Sequence, residues 1–174
     1  TKGLVIKEYL VKNTKLPNSF YGTKVVHISD IHYGRITKKK ELQNICKQIN
    51  KIKPDIVVIT GDLLDKDITY DDQDIIDITT ILNSINAKYG KYIISGNHDL
   101  VKQKSFNKIL ENLNYTNLDD SYQMLYNETT EAIMISGLST MDNKKKLGDK
   151  LVESKKQLLS ETNKVKYNIL LVHE

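Results

Sequence analysis

Three short apolar runs, each ending abruptly in residues that can ligate metals, constrain this chain more than any other feature. VVHIS (25–29) runs into Asp30-Ile31-His32, IVVIT (56–60) into Gly61-Asp62, and YIIS (92–95) into Gly96-Asn97-His98-Asp99. A fourth run, NILLV (168–172), leads into His173. Runs this short, apolar and rich in β-branched residues read as buried strands. Between them lie segments of helical period, marked by Leu42, Ile45, Ile49 and Ile52, by Ile75, Ile78, Leu82 and Ile85, and by Phe106, Ile109, Leu110 and Leu113. Strands alternating with helices predict an α/β fold with a largely parallel or mixed central sheet, helices on both faces and right-handed crossovers. Ligands bind beyond the carboxyl ends of the strands in such sheets, so the donors at these strand ends can share one crevice.

In more detail, the sequence predicts a first strand over 4–11 (LVIKEYLV), a loop over 16–22 and a strand over 24–29. Thr37 is the expected N-cap of the next helix, which ends before Pro54. A strand over 56–60, a helix over 71–86, a strand over 91–95 and the helix containing Phe106 follow. Segments 121–126 and 131–137 form a hairpin around Asn127 and Glu128. Leu151, Leu158 and Leu159 mark a helix before a last strand over 166–172. A chain of 174 residues suits one domain, 1–174, with a sizeable core.

Net charge is +4, and Arg35 is the only arginine, which argues against a nucleic-acid partner and leaves anionic small substrates open. Cys46, the one cysteine, excludes an internal disulfide and cysteine zinc knots, and falls on the apolar side of its helix. Lysine runs at 38–40 and 144–146 read as solvated surface. No apolar run approaches the roughly 20 residues that span a bilayer. The chain starts at Thr1 and ends at Glu174 directly after a strand, so both ends read as cuts.

The residue types at the strand ends specify a chemistry. In Asp30-Ile31-His32 the first and third residues of an extended segment face one way, with Ile31 in the core. Asp62 has two oxygens and can bridge two cations; Asn97 offers a neutral oxygen. Gly61 and Gly96 let the backbone turn sharply beside them. Mixed oxygen and nitrogen donors suit Mn²⁺, Fe or Zn²⁺ better than Ca²⁺. Tyr33 and Arg35 follow the first motif and are candidates to touch a substrate phosphate. His27 reads as a hydrogen-bonded structural histidine and Asp99 as a residue that fixes its loop.

Taken in order, SDIH, GDLLD, GNHD and VHE resemble the signature of the calcineurin-like metallophosphoesterase superfamily. The leader LPNSFYGTKVVHISDIHYG is similar to the bacterial membrane-associated or exported branch. The resemblance implies mixed β-sheet layers flanked by helices and two divalent metal ions sharing a bridging hydroxide. Asp30 and His32 would bind one metal, Asn97 and His173 the other, and Asp62 both. His98 would face the leaving group, with Asp65 as its carboxylate partner. The activity implied is hydrolysis of phosphoric monoesters or diesters, with lipid or cell-envelope phosphate among the substrates. Membrane association or export of the full-length parent is implied too, a cytoplasmic place being the other reading. Lys66 and Asp67 follow Asp65 where Ser/Thr protein phosphatases carry arginine and glycine, which counts against that activity. The superfamily's closing Gly-His-x-His motif does not occur before Glu174, so the expectation is a chain cut short of it, each metal lacking one ligand. The alternative is a non-catalytic binding or scaffold module on the same fold. A nucleotide-binding α/β protein is disfavoured because no Gly-rich phosphate loop follows the first core strand.

Overall fold

The computed structural model describes residues 4–140, Ser160 and 165–173. Four strands form a parallel sheet in sequence order: β1 (Val25–Ile28), β2 (Ile56–Thr60), β3 (Gly90–Ile94) and β4 (Thr116–Asn117). Helices α1 (Lys39–Ile52), α2 (Asp72–Asn83), α3 (Asn97–Val101) and α4 (Gln103–Asn112) lie in the connections. A second sheet holds β5 (Ser121–Tyr126), β6 (Ala132–Gly137) and β7 (Asn168–Leu171), with β5 antiparallel and β7 parallel to β6. The fold is therefore α/β with mixed sheet layers.

The side-chain period of a strand sorts β2 between two cores. Val57 and Ile59, with Ile93 of β3, pack on Leu42, Cys46 and Ile49 of α1, Ile78 and Leu82 of α2, and Phe106 and Ile109 of α4. Ile56 and Val58, with Tyr92 and Ile94, pack on Leu125, Ile133, Ile135 and Leu171 of the second sheet. Among the described residues the helices thus cover one face of the parallel sheet only. The expectation of helices on both faces fails because the apolar side of the second sheet occupies the other.

Parallel register positions the site. Ile28 is level with Ile59, and Thr60 with Ile94, so residues 29–32, 61–62 and 95–98 emerge along the same sheet edge.

Local chemistry explains the element ends. Lys38, not Thr37, is the N-cap of α1, and its N–H donates to Glu41 Oε2 at 2.6 Å; Thr37 is buried. Lys53 ends α1 in the left-handed conformation just before Pro54. Asp71 caps α2 by accepting the Asp74 N–H at 2.8 Å. The expected hairpin forms, pairing Ser121 with Gly137 and Tyr126 with Ala132. Cys46 is buried in the core, and burial pushes its thiol up to about 11. Residues 38–40 are exposed as expected.

Residues 4–11 are a clear departure. They form no strand, and Leu4, Val5, Ile6, Tyr9, Leu10 and Val11 are exposed. Apolar composition predisposes a segment to β structure, but a strand exists only against a partner edge. The helix marked by Leu151, Leu158 and Leu159 and the lysines at 144–146 lie outside the described residues. Among those described, no helix is long and apolar enough to cross a membrane.

Candidate metal centre

The loops after β1 and β2 run side by side. The Asp30 N–H donates to Gly61 O at 3.2 Å, His32 N–H to Asp62 O at 2.9 Å and Tyr33 N–H to Leu63 O at 2.9 Å. Ile31 is buried as expected, but Asp30 and His32 do not converge by strand alternation. Their φ angles are 55° and 42°, and that of Asp62 is 52°, all in the left-handed region. Three non-glycine residues held there together store strain of about 1–3 kcal/mol each, a pattern that concentrates at functional sites.

Asp62 is the hub. Its Oδ2 lies 3.5 Å from His32 Nε2 and 4.0 Å from His98 Nε2, and its Oδ1 lies 3.5 Å from His173 Nε2. Asp30 Oδ1 is 3.8 Å from His32 Nε2. The His98 N–H donates to Asp62 Oδ1 at 2.9 Å. Donor atoms of His32, Asp62 and His98 lie within 4.8 Å of one another, as do those of Asp30, Asp62 and His173. Asn97 Oδ1 is 3.2 Å from His173 Nε2.

The donor set suits a cation. With Thr60 O only 2.7 Å away, His173 Nδ1 is a donor, and the neutral ring then keeps its lone pair on Nε2. That lone pair faces the Asn97 oxygen and a carboxylate, a cluster of acceptors that repel one another until a positive ion lies among them.

Two glycines make the close approach possible. At Gly61 (φ +86°) a Cβ would stand 2.6 Å from His173 Nδ1 and 2.7 Å from Gly96 Cα. At Gly96 a Cβ would collide with the Asp62 carboxylate.

Asp99 ties the GNHD turn to the GDLLD loop. Its fully buried carboxylate accepts N–H groups from Gly96 (2.9 Å), Leu63 (3.3 Å) and Leu64 (2.8 Å). Burial nevertheless pushes its pKa up to about 6.

The match of residues 23–174 to the family model for calcineurin-like phosphoesterases decides the kinship. The chain belongs to the calcineurin-like phosphoesterase family. It is 30% identical over 169 residues to the uncharacterized metallophosphoesterase YkuE of Bacillus subtilis, covering 96% of this chain and 56% of that protein. It is 28% identical to the transmembrane protein with metallophosphoesterase domain of Danio rerio, over 74% of this chain and 29% of that protein. Another relative, the UDP-2,3-diacylglucosamine pyrophosphatase LpxG of Chlamydia muridarum, is 31% identical over 49% of this chain and 26% of its own length. The chain thus spans about half the length, or less, of these curated relatives.

The remaining candidates of this calcineurin-like chain fall in different places. Asp65 is buried, with Oδ2 3.2 Å from His32 Nδ1 and 3.7 Å from His98 Nδ1. Burial opposes its charge, but the Asp67 N–H, Arg35 and the two histidines outweigh that and hold it below the usual carboxylate range. Arg35 is half-exposed and paired with Asp67 at 2.6 Å. Tyr33 does not face the crevice as a phosphate contact would; its ring is buried in the helix-side core and its backbone carbonyl does the bonding. His27 shares a 2.6 Å hydrogen bond with Thr60 Oγ1, the structural part read for it.

Sequence reasoning missed Thr60 and Tyr70. Thr60 offers its carbonyl to His173, and its place just before Gly61-Asp62 was the available signal. The Tyr70 hydroxyl accepts the Asp65 N–H at 2.6 Å and donates to Tyr33 O at 2.6 Å. No local pattern marks it.

Proposed function

We propose that this chain carries the catalytic crevice of a metal-dependent phosphoric ester hydrolase with a dinuclear centre. The observation behind this reading is the cluster of acceptor atoms around Asp62, contributed by four separate strand ends. Asp30, His32 and Asp62 would hold one divalent ion, and Asp62, Asn97 and His173 the other, with Mn²⁺, Fe or Zn²⁺ suited to the donors. Such ions supply an acidified water as nucleophile and neutralise charge on the phosphoryl oxygens.

The protein's own groups do the rest. His98 Nδ1 takes an N–H from Lys66 at 3.2 Å, so the neutral ring bears its proton on Nε2, on the side of Asp62. That Nε2–H is placed to hydrogen-bond a leaving oxygen as charge gathers on it. Asp65 lends negative charge beside the ring. Arg35, at the rim, is a cation that can leave Asp67 for a phosphoryl oxygen. Monoesters and diesters both fit this chemistry. The name of the Chlamydia relative favours lipid-linked phosphate as substrate, and the name of the Danio rerio relative favours action near a membrane.

The test uses protein expressed from the complete reading frame and loaded with Mn²⁺. Hydrolysis of p-nitrophenyl phosphate or bis-p-nitrophenyl phosphate is expected. His98→Ala should lower kcat about 10²–10⁴-fold with metal content nearly intact. Metal-loaded protein inert to both esters, to nucleotides and to phospholipids would favour the non-catalytic binding module instead.

A further inference from the structure

We infer that Asp65 is a positioning residue for His32, fixing the tautomer that turns the Nε2 lone pair toward a metal ion. The inference rests on the metal-centre reading above and gives Asp65 a duty beyond partnership with His98. His32 Nδ1 is buried and makes no well-aligned hydrogen bond among the described residues; Asp65 Oδ2 stands 3.2 Å from it. On the other side of the ring, Nε2 faces Asp62 and Asp30 at 3.5 and 3.8 Å. The imidazole is therefore flanked by carboxylates on both nitrogens. A neutral ring has one proton, and the nitrogen without it presents a lone pair to negative charge. Placing the proton on Nδ1, against Asp65, leaves the repulsion on the Nε2 side, where a cation relieves it. Placing it on Nε2 leaves a buried lone pair against Asp65, with no donor aimed at that nitrogen among the described residues.

His98 has less use for the same carboxylate. Its Nδ1 is farther from Asp65, at 3.7 Å, and already accepts the Lys66 N–H. Asp65 is also held rigidly, as a group that sets a tautomer must be. Its Oδ1 accepts the Asp67 N–H at 2.9 Å, and its own N–H is anchored through the Tyr70 hydroxyl to Tyr33 O.

Calorimetric titration of Mn²⁺ into Asp65→Asn and His98→Ala, in the protein from the complete reading frame, separates the two duties. Asp65→Asn should weaken metal affinity about 10–100-fold, while His98→Ala leaves it near the wild-type value. Unchanged affinity in Asp65→Asn would overturn the inference. Should that variant fail to fold, long-range ¹H–¹⁵N NMR of the Zn²⁺-loaded wild type decides: Nε2 ligation with a protonated Nδ1 on His32 supports it, and ligation through Nδ1 or a bare Nδ1 overturns it. Neither readout depends on turnover. A protein that binds metal this way yet hydrolyses no ester would refute the proposed hydrolase and leave the role of Asp65 standing.

Discussion

A single carboxylate, Asp62, organises the crevice, and the residues that hold it in place are as demanding as those it faces. Gly96→Ala would drive a methyl group into that carboxylate. The expected outcome is loss of metal affinity at nearly intact helix content, read by calorimetry and circular dichroism. Asp99 has a different duty, since it satisfies three buried backbone donors on two loops. Asp99→Ala strands those N–H groups at about 1–3 kcal/mol each, so urea denaturation should show a loss of at least about 3 kcal/mol. At this scale the sequence was informative about residue type and weak about conformation. Asp, His and Asn at strand ends pointed to metal chemistry, and Asp99 read as a loop anchor. Asp30 and His32 converge through left-handed backbone rather than strand alternation, because the bonds to Gly61 O and Asp62 O that set their φ angles come from a loop some 30 residues away. Tyr33 was misplaced for a related reason: the parallel bridge to Leu64 sets its direction, and no neighbour in sequence reveals that bridge.

At the scale of elements, the parallel register of β1, β2 and β3 brings the three motifs to one edge, and a lysine side chain from β3 ties the end of α2 to that sheet. Lys91, buried in β3, donates to Asn83 O at 3.4 Å, the last residue of α2, and to Ile85 O at 2.8 Å just beyond it, and bonds Asn114 Oδ1. Lys91→Met would leave those carbonyls unpaired and should lower stability by about 1–3 kcal/mol. Burial also holds the Lys91 pKa below that of an ordinary lysine. Between the folded and unfolded values the unfolded chain binds more protons, so this residue makes stability rise with pH in that window. Denaturation across the alkaline range should show that contribution in the wild type and its loss in Lys91→Met. The elements themselves were readable wherever burial and period agreed, as in β2, α1 and the β5–β6 hairpin. Residues 4–11 have the composition of a strand but no partner edge among the described residues. The short helix α3 was hidden inside the GNHD motif, whose residues looked like turn and ligand rather than helix.

At the scale of the molecule, the described residues form two sheets packed face to face with helices on one outer face, which leaves the strand ends free to build a crevice, and family membership fits that architecture. The helices' single-sided placement could not be read locally, since β2 is apolar on both faces and its sequence does not distinguish a helix neighbour from a sheet neighbour. The account stands on the claim that strand ends from across the chain gather around paired cations at Asp62. Anomalous X-ray diffraction from crystals grown with Mn²⁺, using the protein from the complete reading frame, measures this directly. Two anomalous peaks are expected, one beside Asp30, His32 and Asp62 and one beside Asp62, Asn97 and His173. Crystals with no peak near Asp62, or with manganese bound only elsewhere on the surface, would contradict it.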